Sequence, residues 1–339
     1  MPKILVIRFS SIGDIVLTTP VLRCLSRQVP GAEIHFLTKK AYAGLLEANP
    51  YIHRIHAMQT RVSEVIPALQ QEQFDYIIDL HNNLRSMLVK RALKAPAAAF
   101  NKLNLQKWLM VRLKINKLPE MHIVDRYMAA AAHFGIVNDG EGLDHFIPTS
   151  TPDPSAILPP AFANGYIAFV IGAQHATKQL PVAQFRKLIE LVIQNPASST
   201  KHIVLIGGPE DAPMGKAIAE GFENVWDVCG KCSIQQSAML LEKAEQVVTH
   251  DTGMMHIAAA LDKKVISVWG NTIPEFGMYP YYGKRLSLQE QRSLQLIAEN
   301  RDLSCRPCSK IGYKQCPKGH FKCMNDLSMQ QIAHTLSLP

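Results

Sequence analysis

The stretch KILVIRFSSIGDIVLTTP, residues 3–20, decides the fold. Its first five residues, Lys3-Ile4-Leu5-Val6-Ile7, are short, largely β-branched and apolar on both faces, as a central strand of a parallel sheet must be. The run breaks at Ser10-Ser11-Ile12-Gly13-Asp14 and resumes with helical spacing through Ile15, Leu17, Val21 and Leu22. Strand, small-residue loop and helix form the opening unit of a doubly wound sheet. Working outward, strands are expected at Glu33–Leu37 and Tyr76–Leu80, and helices at 41–48 and 64–72. Residues 148–164 carry five prolines and little periodicity, which marks a linker. Beyond it the alternation restarts. Strands are expected at 166–171, 202–206, 225–228, 246–249 and 264–268, with helices at 181–194, 212–221, 233–243 and 253–261. The chain therefore reads as α/β, two Rossmann-like doubly wound parallel-sheet domains with a cleft between them. The expected domains span 1–155 and 156–325, with a closing amphipathic helix in 326–339.

Composition narrows the class. A chain of 339 residues exceeds what one core organises, and 47% apolar against 19% charged residues argues against disorder. No run of 18 apolar residues occurs, and the opening residues read as a buried strand and not a signal peptide. Seven cysteines, four of them in the last 35 residues, do not look like a secreted disulfide framework. A cytoplasmic protein with contact to a membrane surface is the expectation. Net charge is +8, and residues 1–150 hold 18 basic against 12 acidic side chains. Within them, residues 82–117 carry nine basic groups, among them Arg85, Lys90 and Arg91, and no carboxylate. Such a block suits nucleic acid, a phosphorylated lipid head group or a polyanionic sugar. A solvated helix face is the plainer reading.

Several loops carry chemistry. The first, Ser10–Asp14, lies where open parallel sheets hold ligands, yet it is neither a GxGxxG nor a Walker loop. It offers the carboxylate of Asp14 at a helix start, either as an N-cap contributing about 1 kcal/mol or as a catalytic group. The second loop, Thr249-His250-Asp251-Thr252-Gly253, brings a hydroxyl and open backbone N–H groups to a helix N-terminus, a diphosphate-type site. His256 follows one turn later. In the third, Gly172–Lys178, Lys178 can reach a phosphate, and Gly207-Gly208-Pro209-Glu210 ends the next strand. Cys305, Cys308, Cys316 and Cys323, with His320 among them, are compatible with a tetrahedral structural zinc. A reduced thiol cluster or a labile disulfide fits the same spacing.

These residues resemble glycosyltransferase family 9, the ADP-heptose:lipopolysaccharide heptosyltransferases. The matching pieces are the opening stretch, DLHNNLRS (79–86), VDRY (124–127), GGPED (207–211), HDTGMMHIAAAL (250–261) and CPKGHFKC (316–323). The resemblance implies a GT-B architecture, with the acceptor on the first domain and the nucleotide sugar on the second. It implies Asp14 as general base, and Lys178, Thr252 and Gly253 on the diphosphate, with Glu210, Asp251 and His256 helping to hold an ADP-sugar. Ser10, Ser11, Gly13, Arg85, Lys90 and Arg91 would meet the acceptor. The chain departs from the family ahead of Lys178, where Ala173, Gln174 and Ala176 stand in place of hydroxyl residues.

The reading is an inverting, metal-independent transfer of heptose from ADP-heptose to the Kdo–lipid A region of lipopolysaccharide. No cofactor and no nucleic acid is required, and the oligomeric state stays open. The enzyme would work in the cytoplasm, peripheral on the inner membrane, with Trp108, Leu109 and Val111 facing the acyl region or the core. Another core-region glycosyltransferase using a different nucleotide sugar is the alternative. A basic nucleic-acid-binding protein with a zinc site is the minor one, and it leaves residues 249–256 without a purpose.

Overall fold

A computed structural model describes residues 1–196, 198, 200–283 and 294–337. By internal contacts it divides into two units. The first comprises 1–103, 121–148 and the returning segment that begins at Tyr281; the second takes the rest, including 104–120 and 149–280.

In the first unit, β1 (Lys3–Ile7), β2 (Glu33–Lys39), β3 (Arg54–Met58), β4 (Tyr76–Asp79) and β5 (Ala97–Ala99) form a sheet of order β3-β2-β1-β4-β5. Every pairing is parallel. β1 lies in the middle because Ile4, Leu5, Val6 and Ile7 are buried on both faces. Around it lie α1 (Ile12–Val16), α2 (Thr19–Gln28), α3 (Lys40–Ala43), α4 (Ile66–Gln71), α5 (Leu84–Leu93) and α7 (Ile123–Ala130). The helix expected at 41–48 is a single turn, α3, followed by turns; Gly44 ends it. Leu5, Ile7, Phe9, Leu37, Met58, Leu69, Ile77 and Val89 make the core under α4 and α5.

In the second unit, β6 (Ile167–Val170), β7 (Ile203–Ile206), β8 (Val225–Asp227), β9 (Gln246–His250), β10 (Lys264–Trp269) and β11 (Gln295–Glu299) form a parallel sheet of order β11-β10-β9-β6-β7-β8. α8 (Val182–Gln194), α9 (Ala212–Ala219), α10 (Ile234–Lys243), α11 (Gly253–Ala260), α12 (Lys322–Asn325) and α13 (Met329–Leu336) surround it. The closing helix lies within this unit: Met329, Ile332, Ala333 and Leu336 join the core of Phe185, Leu188, Ile189 and Val192.

Residues 104–120, which the sequence reading places with the first domain, group with the second unit. The cause is visible at α6 (Asn104–Leu113) and just after it. Lys107 sits over the Phe276 ring at 5.6 Å, and Lys114 donates to the carbonyls of Cys305 and Pro307 at 3.0 and 2.7 Å. The proline-rich segment 149–164 also belongs to this unit, tied by Lys243 to Asp153 at 2.9 Å and by the Trp226 indole N–H to the Ile157 carbonyl at 2.7 Å.

Both sheets reverse their strand order at one place. In the first this lies between β1 and β4, in the second between β6 and β9. At such a switch point the loops leaving adjacent strands diverge to opposite faces and leave a crevice at the carboxyl edge.

Candidate active site

The first switch point gathers the loops after β1 and β4. Asp14 is not the N-cap of α1. Ser11 takes that position, and Asp14 Oδ2 accepts from the Ser11 N–H at 3.1 Å and from its hydroxyl at 2.9 Å, the reciprocal half of a capping box. Its other oxygen meets Arg8 Nη2 at 2.6 Å. Burial by itself would raise the Asp14 carboxyl; the Arg8 charge and the two Ser11 hydrogen bonds outweigh it and hold the group below its ordinary value. Asp14 is thus an ionised carboxylate near neutral pH.

Arg8 is the residue the sequence reading missed. It is buried, donates from Nε to the Ser10 carbonyl at 2.9 Å and from Nη1 to the Leu80 carbonyl, and lies over the paired Phe100 and Tyr127 rings at 5.9 and 5.7 Å. It therefore ties the β1 loop to the β4 loop. On the latter, His81 packs on Phe9, and burial, followed by the Arg8 and Lys102 charges, drives its imidazole down to about 4. Its Nδ1 has no hydrogen-bond partner among the described residues. The visible signal is its place two residues past the end of β4 in DLHNNLRS.

Of the other acceptor candidates, Gly13 is buried in α1 while Ser10 and Ser11 shape the loop. Arg85 and Arg91 are exposed on α5, whose start is set by the Asn83–Ser86 capping box. Lys90 turns inward. Its Nζ lies 2.9 Å from Oδ2 of the fully buried Asp79, whose other oxygen accepts from the His81 and Asn82 N–H groups. Lys90→Met should therefore cost about 2 kcal/mol of stability, because it strands a buried carboxylate. Arg85→Gln and Arg91→Gln should leave the denaturation midpoint nearly unchanged. Urea unfolding of the three variants checks this difference.

The second switch point gathers the loops after β6 and β9. Lys178, at the end of a single 3₁₀ turn (Ala176–Lys178), reaches Asp251 Oδ2 at 2.5 Å and its carbonyl at 3.2 Å. Thr272, on the loop after β10, donates to the same Asp251 oxygen at 2.9 Å. Thr252 is the N-cap of α11, its hydroxyl 3.4 Å from that of Thr249, and Gly253 opens the helix. His256 is buried on α11. Glu210 is exposed on the turn after β7, whereas its neighbour Asp211 is buried, accepting from the Gly208 N–H at 2.9 Å. His250 is held neutral, driven to about 4 by burial, and its Nε2 accepts from the Leu180 N–H at 2.8 Å. Lys178, Asp251, Thr252 and Gly253 thus meet on two neighbouring strand ends, and Thr272 joins them from a third.

The four tail thiols are free, and among the described residues no three of their sulfurs gather within 4.8 Å of one another. Cys308 Sγ donates to the Cys305 carbonyl at 3.2 Å, and Cys305 Sγ stands 3.9 Å from His320 Nε2. Burial pushes the Cys308 and Cys323 thiols up to about 11, so both are protonated near neutral pH.

Residues 62–301 match the model of glycosyltransferase family 9, the heptosyltransferases. The chain belongs to this family. A family 9 relative, lipopolysaccharide heptosyltransferase 1 of Pseudomonas aeruginosa, is 24% identical over 351 aligned positions, covering 97% of this chain and 92% of that protein. Among solved structures, Escherichia coli ADP-heptose lipopolysaccharide heptosyltransferase II superposes with a TM-score of 0.68 at 20% identity, covering 98% of this chain and 97% of that one. The E. coli heptosyltransferase WaaC with ADP-2-deoxy-2-fluoro heptose gives 0.61 at 24% identity, over 87% and 92% of the two chains. The protein is a glycosyltransferase of family 9, and its two parallel-sheet units match the GT-B architecture of these enzymes.

Proposed function

We propose that the chain transfers heptose from ADP-heptose to the inner-core, Kdo–lipid A region of lipopolysaccharide, with inversion and without a metal. The observation that carries this reading is the pair of switch-point sites: an ionised carboxylate, Asp14, on one sheet, and a lysine-bearing hydroxyl and N–H cluster on the other. The names of the relatives supply the sugar and acceptor, and the WaaC structure supplies the nucleotide.

The first unit holds the acceptor and the second the nucleotide sugar. Asp14 accepts the proton of the acceptor hydroxyl as its oxygen bonds to the anomeric carbon. The bond from that carbon to the diphosphate oxygen breaks, and its electron pair leaves on ADP. Lys178 and the N–H groups at the start of α11 take up the charge that develops there, the work a divalent cation performs elsewhere. A single displacement at the anomeric carbon inverts its configuration.

Arg85 and Arg91, beside the exposed Leu84 and Leu88 of α5, meet the anionic acceptor. Trp108, 52% exposed, and Leu105 and Leu113 on α6 suit the inner face of the cytoplasmic membrane. Leu109 and Val111 are half-buried, so Trp108 is the better anchor of the three named residues. No helix among the described residues is long and apolar enough to cross a membrane.

The test is transfer from ADP-heptose, with ADP-glucose, UDP-glucose and GDP-mannose as competitors, followed by NMR of the product linkage. Transfer only from another nucleotide sugar would select the alternative core-region enzyme, and a retained anomeric configuration would remove the single displacement. The Arg85→Gln, Arg91→Gln double variant should raise the acceptor KM roughly tenfold at low salt, with the gap closing as ionic strength rises. Donor KM should not move, and kinetics in 0.05 and 0.5 M salt check both.

A further inference from the structure

The segment 305–313 lies far along the chain from every donor-site loop, yet it bonds to two of them. Arg306 is buried, and its guanidinium is spent on backbone: Nε donates to the Gly270 carbonyl at 2.5 Å and Nη2 to those of Thr272 at 2.8 Å and Trp269 at 3.4 Å. Nη1 donates to the Asn300 carbonyl at 2.5 Å, and Glu299 Oε2 at 3.0 Å supplies the counter-charge. The Cys308 N–H adds a bond to the Asn271 carbonyl at 3.1 Å. Every carbonyl from Trp269 to Thr272 is thereby held from one side.

The other end of the segment grips the lysine loop. The Tyr313 N–H donates to the Thr177 hydroxyl at 2.8 Å, and the Thr177 N–H donates to the Tyr313 carbonyl at 3.2 Å. Gly312, at φ 144°, fits against His175 where a Cβ would come within 2.5 Å of that side chain. A Cβ on Gly270 would likewise stand 2.6 Å from the Thr177 carbonyl oxygen, so the two gripped loops touch. The loop under Arg306 also carries Asn271, 2% exposed, with neither carboxamide atom hydrogen-bonded among the described residues. A buried amide without partners is costly. It marks polar capacity that a ligand or a water can satisfy.

We propose that Arg306 is a positioning residue for the donor site. Through the Thr272 backbone it sets the hydroxyl that bonds Asp251, and Asp251 in turn sets Lys178. The arginine fork spreads its N–H groups over four carbonyls and the Glu299 carboxylate, more acceptors than the three donors of a lysine ammonium can satisfy. The tail then serves as a strap that keeps two strand-end loops in register, and its cysteines flank the strap's anchor. The proposal rests on the reading of Lys178 and Asp251 as the donor's anion site.

The experiment titrates ADP calorimetrically into the full-length wild type and the Lys178→Ala, Arg306→Lys and Thr272→Val variants, and measures donor and acceptor KM with melting temperature. Arg306→Lys and Thr272→Val should each weaken ADP binding about tenfold and raise donor KM by a similar factor, with acceptor KM unchanged. Thr272→Val removes one hydroxyl and keeps the fold testable should Arg306→Lys fail to fold. If Lys178→Ala weakens ADP while Thr272→Val and a folded Arg306→Lys bind it like wild type, the positioning role is overturned. A loss confined to melting temperature overturns it too. If Lys178→Ala itself binds ADP normally, the donor-site reading fails and not the strap.

Discussion

Asp14→Asn is expected to lower kcat by roughly 10³-fold while ADP still binds with close to wild-type affinity. The amide keeps the shape and one oxygen for the Ser11 hydrogen bonds, but it cannot accept the acceptor's proton. It also leaves the buried Arg8 without its counter-charge at 2.6 Å, so the assay belongs well below the variant's melting temperature. Loss of ADP binding at full turnover of bound donor would remove Asp14 as the base.

The same residue predicts a pH dependence. Arg8 and Ser11 hold the folded carboxyl below its ordinary value. The active, ionised form therefore persists into acid, and the acid limb of kcat/KM should fall below the ordinary carboxylate range near 3.9. Stability follows the same sign. The contribution of the pair is fully present above the unfolded pKa and is lost as pH drops through the lower folded one. An acid limb at pH 6 would point to a different base. His81, driven to about 4 by burial and by Arg8, does not titrate there either.

The second large effect belongs to Lys178. Lys178→Ala should weaken ADP binding by roughly 10²-fold, more than one lost hydrogen bond explains. Lys178 Nζ now sits 2.5 Å from Asp251 Oδ2, and without it that carboxylate repels an incoming diphosphate. The double variant Lys178→Ala, Asp251→Asn should accordingly recover part of the loss, a coupling that a double-mutant cycle measures. Calorimetry at fixed salt checks both, and additive losses would contradict the arrangement. Since the lysine is paired before ligand arrives, Asp251 also keeps it from wandering, which favours binding by pre-organisation.

Which parts of this were legible beforehand follows from what sequence patterns encode. β1 was legible because a strand buried on both faces is a continuous apolar run, and Asp251–Gly253 because a helix start after a strand has a recognisable chemistry. β3, with Arg54 and His56 among its five residues, and β5, three alanines, have no such pattern and were missed. β11 was missed as well, although its Gln295 and Glu299 bracket only Leu296, Ile297 and Ala298. Arg8 and Arg306 could not be ranked above other basic residues, since their roles depend on carbonyls and carboxylates brought up by the fold. Lys90 illustrates the converse. The acid-free window began at residue 82, and its partner Asp79 stood three positions outside it, facing it across the fold. A charge count along the chain has no access to that distance.

The strap also orders events in time. Arg306 and Tyr313 are made after the β6 and β10 loops they hold, so a growing chain exposes both loops before the segment that holds them exists. At ordinary elongation speeds the lysine loop waits roughly ten seconds for its clamp. A chain interrupted short of Arg306 already contains all the strands of both sheets but lacks the contacts that hold the lysine loop and the loop after β10. Full donor affinity is in this sense completed late in synthesis, by a segment, 305–313, that contains neither helix nor strand.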